Sequence, residues 1–570
     1  MADSVPASAD RRGWLLGSRW AVSLTAAAAL LTHVFWMWTG RFHSQDGPAH
    51  MFAASALRRL IDGADGTLAR IYTTNFEPDP NWITYPLLSV WLQENSPRVA
   101  ELSLVTLLVI GLAAALYYAV TSLGHATGPV AVAGFAVAVG WSVHTGLYNF
   151  TASVALLLVI VGYYVRVCHL MNLWRTLLLM ILLVSLYFSH PLSLVVAFLV
   201  LAVVGVTTTI ADARAWRSRR LLRRRVVALV LAVTPSLLLL GLFMMDPGSV
   251  RPRDVPRDQW ASFVNLMLAR WPIQAVSPHD AAWATALACV MWVVVVVLLG
   301  RRIVRRDWSR WDALLVVPVM SGIAALVVPD RLAGGTLVQP RLAIYMLLGL
   351  LLWVGIANVD VPLAQWLGIV LGVAGVVALF GLAAVRIEPY REIQTAMDEI
   401  ISVAGAVQPD HTILGAVSSR APNLRPVVPM VHVTDAVALE AGAVPVLTLD
   451  AGSGYGPIRY VGRFDPDPAL RAYPRHRTQG RDLTPEKFRN LVRQYNRVTG
   501  ETFDYVMLVA YDVRPVELDE FDDVGFRLVR QTEPAGLVHL FRVTSQVLPL
   551  RDAMQRHESP AAERVRGRDG

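Results

Sequence analysis

Apolar runs of about 20 residues recur along the first 385 positions, and no other feature constrains the fold as strongly. A run of that length lets a helix cross the hydrocarbon of a bilayer with every backbone N–H and C=O satisfied internally. We read about eleven spans, near 17–38, 99–120, 127–144, 147–166, 173–190, 191–210, 226–245, 281–300, 312–328, 341–358 and 364–385. The 55% hydrophobic content and mean hydropathy of +0.47 agree with an α-helical polytopic membrane protein and exclude a soluble globule.

A net charge of +8 raises the question of a nucleic-acid partner, but its distribution answers against one. Arg214, Arg217, Arg219, Arg220, Arg223, Arg224 and Arg225 crowd one loop between spans. Arg301, Arg302, Arg305, Arg306 and Arg310 crowd another. Such clusters mark the cytoplasmic ends of membrane helices. Cys168 and Cys289 fall in or beside spans, so no disulfide framework is implied. Arg11, Arg12 and Arg19 precede the first apolar run, as they would in a signal peptide. The run exceeds a usual signal core and ends in Phe35-Trp36-Met37-Trp38, an interfacial anchor, so an uncleaved helix is expected.

Starting inside and alternating, the chain puts both arginine clusters and Arg166 in the cytoplasm. The same count sends 39–98, 145–146, 246–280, 329–340 and everything after 385 to the outer face. Asp46, His50, Asn75, Glu77, Asp79, Asn81, His144, Asn149, His190 and Arg341 then all lie at or near outer ends of spans. Ionisable groups at membrane depth are costly and face a cavity or a partner. Their shared side predicts one outward-facing site.

Within the outer segment 39–98, Gly47-Pro48 starts a helix through Ala49–Ile61, read as lying in the membrane interface. The proline-rich Asn75–Trp82 cannot continue a helix, and the apolar Ile83–Leu92 is too short to span. The transmembrane unit is therefore 1–385. Residues 386–550 read as an extracytoplasmic α/β domain. Its helical start is Pro389–Val407, and its strands are His411–Val417, Val444–Leu449, Phe503–Ala510, Phe526–Arg530 and Leu537–Phe541. Further helices are expected at His432–Ala441 and Pro485–Val498. The charged, aperiodic 551–570 reads as a disordered tail. No internal repeat is visible.

Asp46 and His50 are one helical turn apart and can face one cavity, Asp46 as a general base or metal-binding carboxylate supported by the imidazole. The competing reading of Asp46 is a helix cap, a task that Asp before Gly-Pro suits. Glu77 and Asp79 flank Pro78 and are candidate oxygen ligands for a divalent cation, Mg or Mn; a solvated acidic turn would look the same. His144 and Asn149 sit at one tight outer turn, His190 at another, and Asn81 in the proline-rich segment; all four are candidate substrate-binding residues. Arg341 opens a span at the outer face, where a guanidinium can grip a lipid-linked phosphate bidentately or simply snorkel to headgroups. No Walker loop, dinucleotide fingerprint or zinc spacing is present, which argues against a nucleotide-driven enzyme or pump.

These features together resemble the GT-C class of membrane glycosyltransferases. Within it the chain looks like bacterial proteins with Asp-Gly-Pro-Ala-His after the first span (Asp46 to His50). They also carry Pro-Asn-Trp (Pro80 to Trp82), Gly-x-Tyr-Asn-Phe (Gly146 to Phe150) and His-Pro between spans (His190-Pro191). The resemblance implies a polyprenyl-phosphate-linked sugar donor, transfer on the outer face of the bacterial cytoplasmic membrane, and a first-loop aspartate near the reacting groups. Many members show two adjacent acids there; here Asp46 is flanked by Gln45 and Gly47.

The expected function is therefore sugar transfer to a glycan, lipid or protein acceptor, with inversion. Asp46 would orient or deprotonate the acceptor hydroxyl and Arg341 would hold the donor phosphate. The alternatives are a transporter or flippase of a lipid-linked glycan, whose usual inverted repeats and broken helices are not seen, and a non-catalytic membrane scaffold.

Overall fold

In the computed structural model, residues 7–39, 42–123, 128–214, 219–245, 258–332, 335–356, 361–418, 421, 424, 426–453, 456–465, 484–511, 515–544 and 547 are described. The expected tail at 551–570 lies outside them.

Among the described residues, nine helices are long and apolar enough to cross a membrane. Two shorter apolar helices, Gly128–His144 and Leu173–Ser189, stand where two further spans were expected. The first of these is interrupted after Ala138 and resumes at Trp141. At 17 residues the second reaches only about 26 Å, somewhat less than a bilayer core of about 30 Å.

The last long helix, Val361–Ile401, runs 41 residues, passing residue 385 without a break and carrying Pro389 inside it. At about 1.5 Å per residue it is about 60 Å long, twice the thickness of a bilayer core; its second half is packed, with Arg386, Tyr390, Ile393, Met397 and Ile400 all buried. Glu399 near its end secures the C-terminal sheet: Thr532 Oγ1 and the Leu537 N–H each donate to Oε1 at 2.7 Å.

Seven strands occur among the described residues: β1 (Tyr72–Thr74), β2 (Thr412–Val417), β3 (Val444–Pro445), β4 (Ile458–Tyr460), β5 (Tyr505–Val509), β6 (Phe526–Gln531) and β7 (Val538–Val543). Five form a sheet ordered β3-β2-β5-β7-β6. The first three are parallel, and β7 runs antiparallel to both neighbours. β2 and β5 are buried along nearly their whole length, as strands covered on both faces should be. The helices Val433–Ala441 and Pro485–Thr499 fall between strands as expected. The expected strand at Val444–Leu449 is cut to two residues, because Leu449–Ser453 turns into a short helix.

The other two strands were not anticipated as partners. β1, from the first outer segment, pairs antiparallel with β4, with Tyr72 opposite Tyr460 and Thr74 opposite Ile458. This ladder ties the outer segment to the C-terminal part, and the Asn75 side chain extends it by donating to Gly456 O at 2.9 Å.

The Gly47–Ile61 helix corrects the interfacial reading. Gly47, Pro48, Ala49, Met51, Phe52, Ala53, Ala54, Ala56 and Leu57 are all buried. Its alanines let the helices Thr84–Glu94 and Val433–Ala441 approach closely from two sides, and Arg58 is left exposed. It is a core helix between the bundle and the C-terminal part.

Candidate functional site

Asp46 is set by its backbone. Its N–H donates to Thr145 O at 3.0 Å, and the Gln45 N–H donates to His144 O at 2.9 Å. The turn that supplies these carbonyls includes Gly146 at φ +80°. A Cβ there would meet Gly47 N at 2.6 Å and Asp46 N at 2.9 Å, so only glycine lets the two segments touch. His144 is thus a support and not a cavity residue: it is fully buried, its Nδ1 lies 2.9 Å from Gly140 O, and its ring stacks on Tyr390 at 10°. Behind the turn Arg386 donates to Asp280 at 2.9 Å, with both side chains fully buried, and to Val139 O and Ile273 O.

The cap reading of Asp46 also fails. Its carboxylate makes no cap hydrogen bond; the Gly47 N–H donates instead to Ser44 Oγ at 3.0 Å. Ser44 in turn donates to Glu101, which also accepts from Tyr148 OH. The Asp46 carboxylate is left facing a cavity of about 660 Å³.

Two polar clusters line that cavity. In the first, the Asp46 Oδ1 lies 3.6 Å from His432 Nε2, and His50 Nδ1 lies 3.0 Å from Asp450 Oδ2 and 2.9 Å from the Tyr85 hydroxyl. The pairing is crossed: the aspartate of the outer segment meets a C-terminal histidine, and the histidine of that segment meets a C-terminal aspartate. Asp435 lies behind them, outside the cavity lining, 3.7 Å from His432 Nδ1. Burial opposes charge on both imidazoles, but the surrounding carboxylates outweigh it. Asp450, Asp46 and Glu101 raise His50 above its ordinary value; Asp435, Asp46 and Asp450 do the same for His432. Gln45 bridges the two parts, accepting from the Val428 N–H at 3.1 Å and donating to Asp46 at 3.2 Å.

In the second cluster Arg341 donates to His190 Nε2 at 2.6 Å and lies 5.2 Å over the Phe150 ring. Arg331 joins the lining. Asn81 and Asn149 line the cavity too, and they hold each other: Asn149 Nδ2 donates to Asn81 O at 2.8 Å, while its Oδ1 accepts from the Thr84 N–H and hydroxyl. The remaining walls are apolar, with Val195, Leu240, Phe243, Met244, Leu332 and Leu337 among them.

Glu77 and Asp79 lie elsewhere. Arg459 donates to both Glu77 oxygens at 2.6 and 2.7 Å and to Asp79 at 3.1 Å, and these bonds hold the Glu77 carboxyl below its ordinary value. A guanidinium thus takes the place a divalent cation would fill. Among the described residues no group of three or more His, Cys, Asp or Glu side chains could hold a metal ion. The donor set does not fit a divalent ion.

Sequence reasoning placed Asp46, His50, Asn81, Asn149, His190 and Arg341 near one another, and all six line the cavity. It missed His432, Asp435 and Asp450, whose local sequence is that of an ordinary helix start. It missed Glu101 too, although an acid inside an apolar run is a signal that could have found it.

No protein-family model and no curated protein sequence matches the chain. Solved structures do. The mycobacterial arabinofuranosyltransferase AftD aligns over 92% of this chain at 15% identity and a TM-score of 0.47. The match covers only 40% of AftD, so this chain spans less than half of that protein's length. ArnT from Cupriavidus metallidurans, solved bound to undecaprenyl phosphate, aligns over 93% of this chain and 99% of its own, at 11% identity and a TM-score of 0.50. The likeness to ArnT, over nearly all of both chains, is one of fold: this chain shares the polytopic helical architecture of that protein.

Proposed function

We propose that the protein is a membrane glycosyltransferase that moves a sugar from a polyprenyl-phosphate donor to a glycan, lipid or protein acceptor. The observation that carries this reading is the make-up of one cavity: a carboxylate–imidazole cluster, a guanidinium cluster and an apolar wall. A lipid-linked sugar phosphate has the matching three parts. The wall includes Leu240, Phe243 and Met244 from the Arg219–Met245 helix, the least buried of the nine long helices. The cavity therefore borders the bilayer, from which a polyprenyl chain can enter. ArnT, the neighbour in fold, was solved with undecaprenyl phosphate.

Transfer belongs to the outer face of the bacterial cytoplasmic membrane. Asp280 begins a span whose last turn holds Arg302 and Arg305, and Asn149 stands in the first turn of another whose last turn holds Arg166. The site-side ends are thus opposite the arginine-rich ends, which the positive-inside rule assigns to the cytoplasm. On this count the C-terminal α/β part lies outside.

In the reaction the acceptor oxygen attacks the anomeric carbon, and the bond from that carbon to the phosphate oxygen breaks. Polyprenyl phosphate leaves with the electron pair, and the acceptor proton passes to Asp46. Arg341 meets the phosphate charge, for which a guanidinium offers two parallel hydrogen bonds. A single displacement inverts the anomeric centre.

The test is purified protein in lipid nanodiscs, supplied with a panel of polyprenyl-phosphate sugars and glycan acceptors, with released polyprenyl phosphate as the readout. Release that depends on both donor and acceptor is expected. Binding of the donors without release under any pairing would overturn the enzymatic reading.

A further inference from the structure

Asp450 is not explained by the transfer mechanism, although it lines the same cavity from the far end of the sequence. It is carried by the Leu449–Ser453 helix, and its side chain is 6% exposed. Its Oδ2 lies 3.0 Å from His50 Nδ1. A carboxylate only accepts, so Nδ1 must carry the hydrogen. That settles which edge of the imidazole is committed: Nδ1 faces Asp450 and Tyr85, and Nε2 is the remaining polar atom of a ring that lines the cavity.

We infer that Asp450 is a positioning residue that holds His50 as an imidazolium, so that its Nε2–H donates to an oxygen of the bound sugar. The inference rests on the glycosyltransferase reading and adds a second carboxylate to it, one the outer segment does not contain. The division of labour follows from the distances. Asp450 sits in hydrogen-bonding range of its imidazole, whereas the nearest imidazole to Asp46 is 3.6 Å away. Asp450 is committed to His50, and Asp46 is left to meet the acceptor hydroxyl.

The groups that face His50 come from five elements. Asp46 stands at the start of its own helix, Tyr85 on Thr84–Glu94, Glu101 on Pro97–Leu123, Tyr148 on Tyr148–Val167 and Asp450 on Leu449–Ser453. The three acids favour the charged ring, and burial opposes it. Removing one of the acids therefore tips the balance toward the neutral ring. The sign is fixed: His50 is a donor below its pKa and loses that proton as pH rises through it.

The test is the pH–rate profile of Asp450→Asn against the wild type. The basic limb is expected to move down by about one pH unit or more, the scale of a lost opposite charge at hydrogen-bonding distance. Asp450→Glu, which keeps the carboxylate, is expected to restore most of the limb. A loss of activity uniform across pH would overturn the inference, because a merely structural role lowers the whole profile. A second readout needs no turnover: an NMR titration of labelled His50 in unliganded wild type and Asp450→Asn. An unchanged His50 midpoint sinks the positioning role. A shifted midpoint in a protein that transfers no sugar keeps the positioning role and sinks the glycosyltransferase reading instead.

Discussion

Asp46→Asn separates chemistry from architecture, because the carboxylate's structural contacts are few: one hydrogen bond from Gln45 and one contact with His432. The helix that starts at Gly47 takes its cap from Ser44, whose Oγ accepts the Gly47 N–H at 3.0 Å. The position of Asp46 is fixed by its backbone N–H on Thr145 O at 3.0 Å. Asparagine keeps both. What the change removes is the ion-pair contact to His432 at 3.6 Å, between side chains 12% and 17% exposed. A pair that long and partly solvated is worth about 1 kcal/mol or less. The amide oxygen of the substituted side chain can still accept from Gln45. The folded protein should therefore melt within a few degrees of the wild type. Turnover should fall about a hundredfold or more, the scale of general-base removal, which corresponds to about 2.7 kcal/mol of barrier. The assay is initial-rate release of polyprenyl phosphate in nanodiscs beside a thermal melt of the same preparation. Near-normal turnover would refute the catalytic role. A large drop in melting temperature would show that the carboxylate holds the crossed contacts together.

Arg341→Lys keeps the charge but loses the second parallel bond to phosphate, so it should raise the apparent KM for donor, and Arg341→Ala should raise it further. Unchanged donor affinity in both would reduce Arg341 to a neighbour of His190 and Phe150. Gly146→Ala forces a Cβ to within 2.6 Å of Gly47 N at a φ of +80°, costing about 1–2 kcal/mol of stability from the backbone alone. By displacing Asp46 it should also slow turnover up to about a hundredfold; wild-type kinetics would mean the turn can relax. Arg386→Met leaves Asp280 buried without its guanidinium and should destabilise the protein by about 3 to 5 kcal/mol. A melt unchanged from wild type would mean that the carboxyl is satisfied by the Ala275 and Val276 N–H groups alone.

What could be read from the sequence followed physical range. Bilayer thickness imposes a period on the apolar runs, so the span segments were visible, as were β2, β5, β6 and β7 from their alternating or continuous apolar residues. Boundaries blurred where a helix continues past its apolar run without changing conformation: Val361–Ile401 turns polar from Arg386, and that change in composition ends the apolar run but not the helix. The Gly47–Ile61 helix was read as interfacial because its two arginines suggested a polar face. Its alanines were the better guide: small side chains on several faces allow close packing on more than one side. Glu77 and Asp79 looked like metal ligands because their partner, Arg459, is about 380 residues away, and no local rule reaches that far.

The same distance explains why half of the site was invisible. Asp46 and His50 are separated by one helical turn, and that spacing carries information. Asp46 and His432, or His50 and Asp450, are brought together only after β1 pairs with β4 and the Gly47–Ile61 helix is covered by Val433–Ala441. Each of those steps is a packing decision with no signature in a window of sequence. The first outer segment alone would present one acid and one histidine to the membrane surface. Contact with the C-terminal part turns them into two carboxylate–imidazole contacts beside one cavity with an apolar wall. On this arrangement the C-terminal α/β part is a wall of the cavity, and a change at Asp450 acts on the same ring as a change four hundred residues earlier at His50.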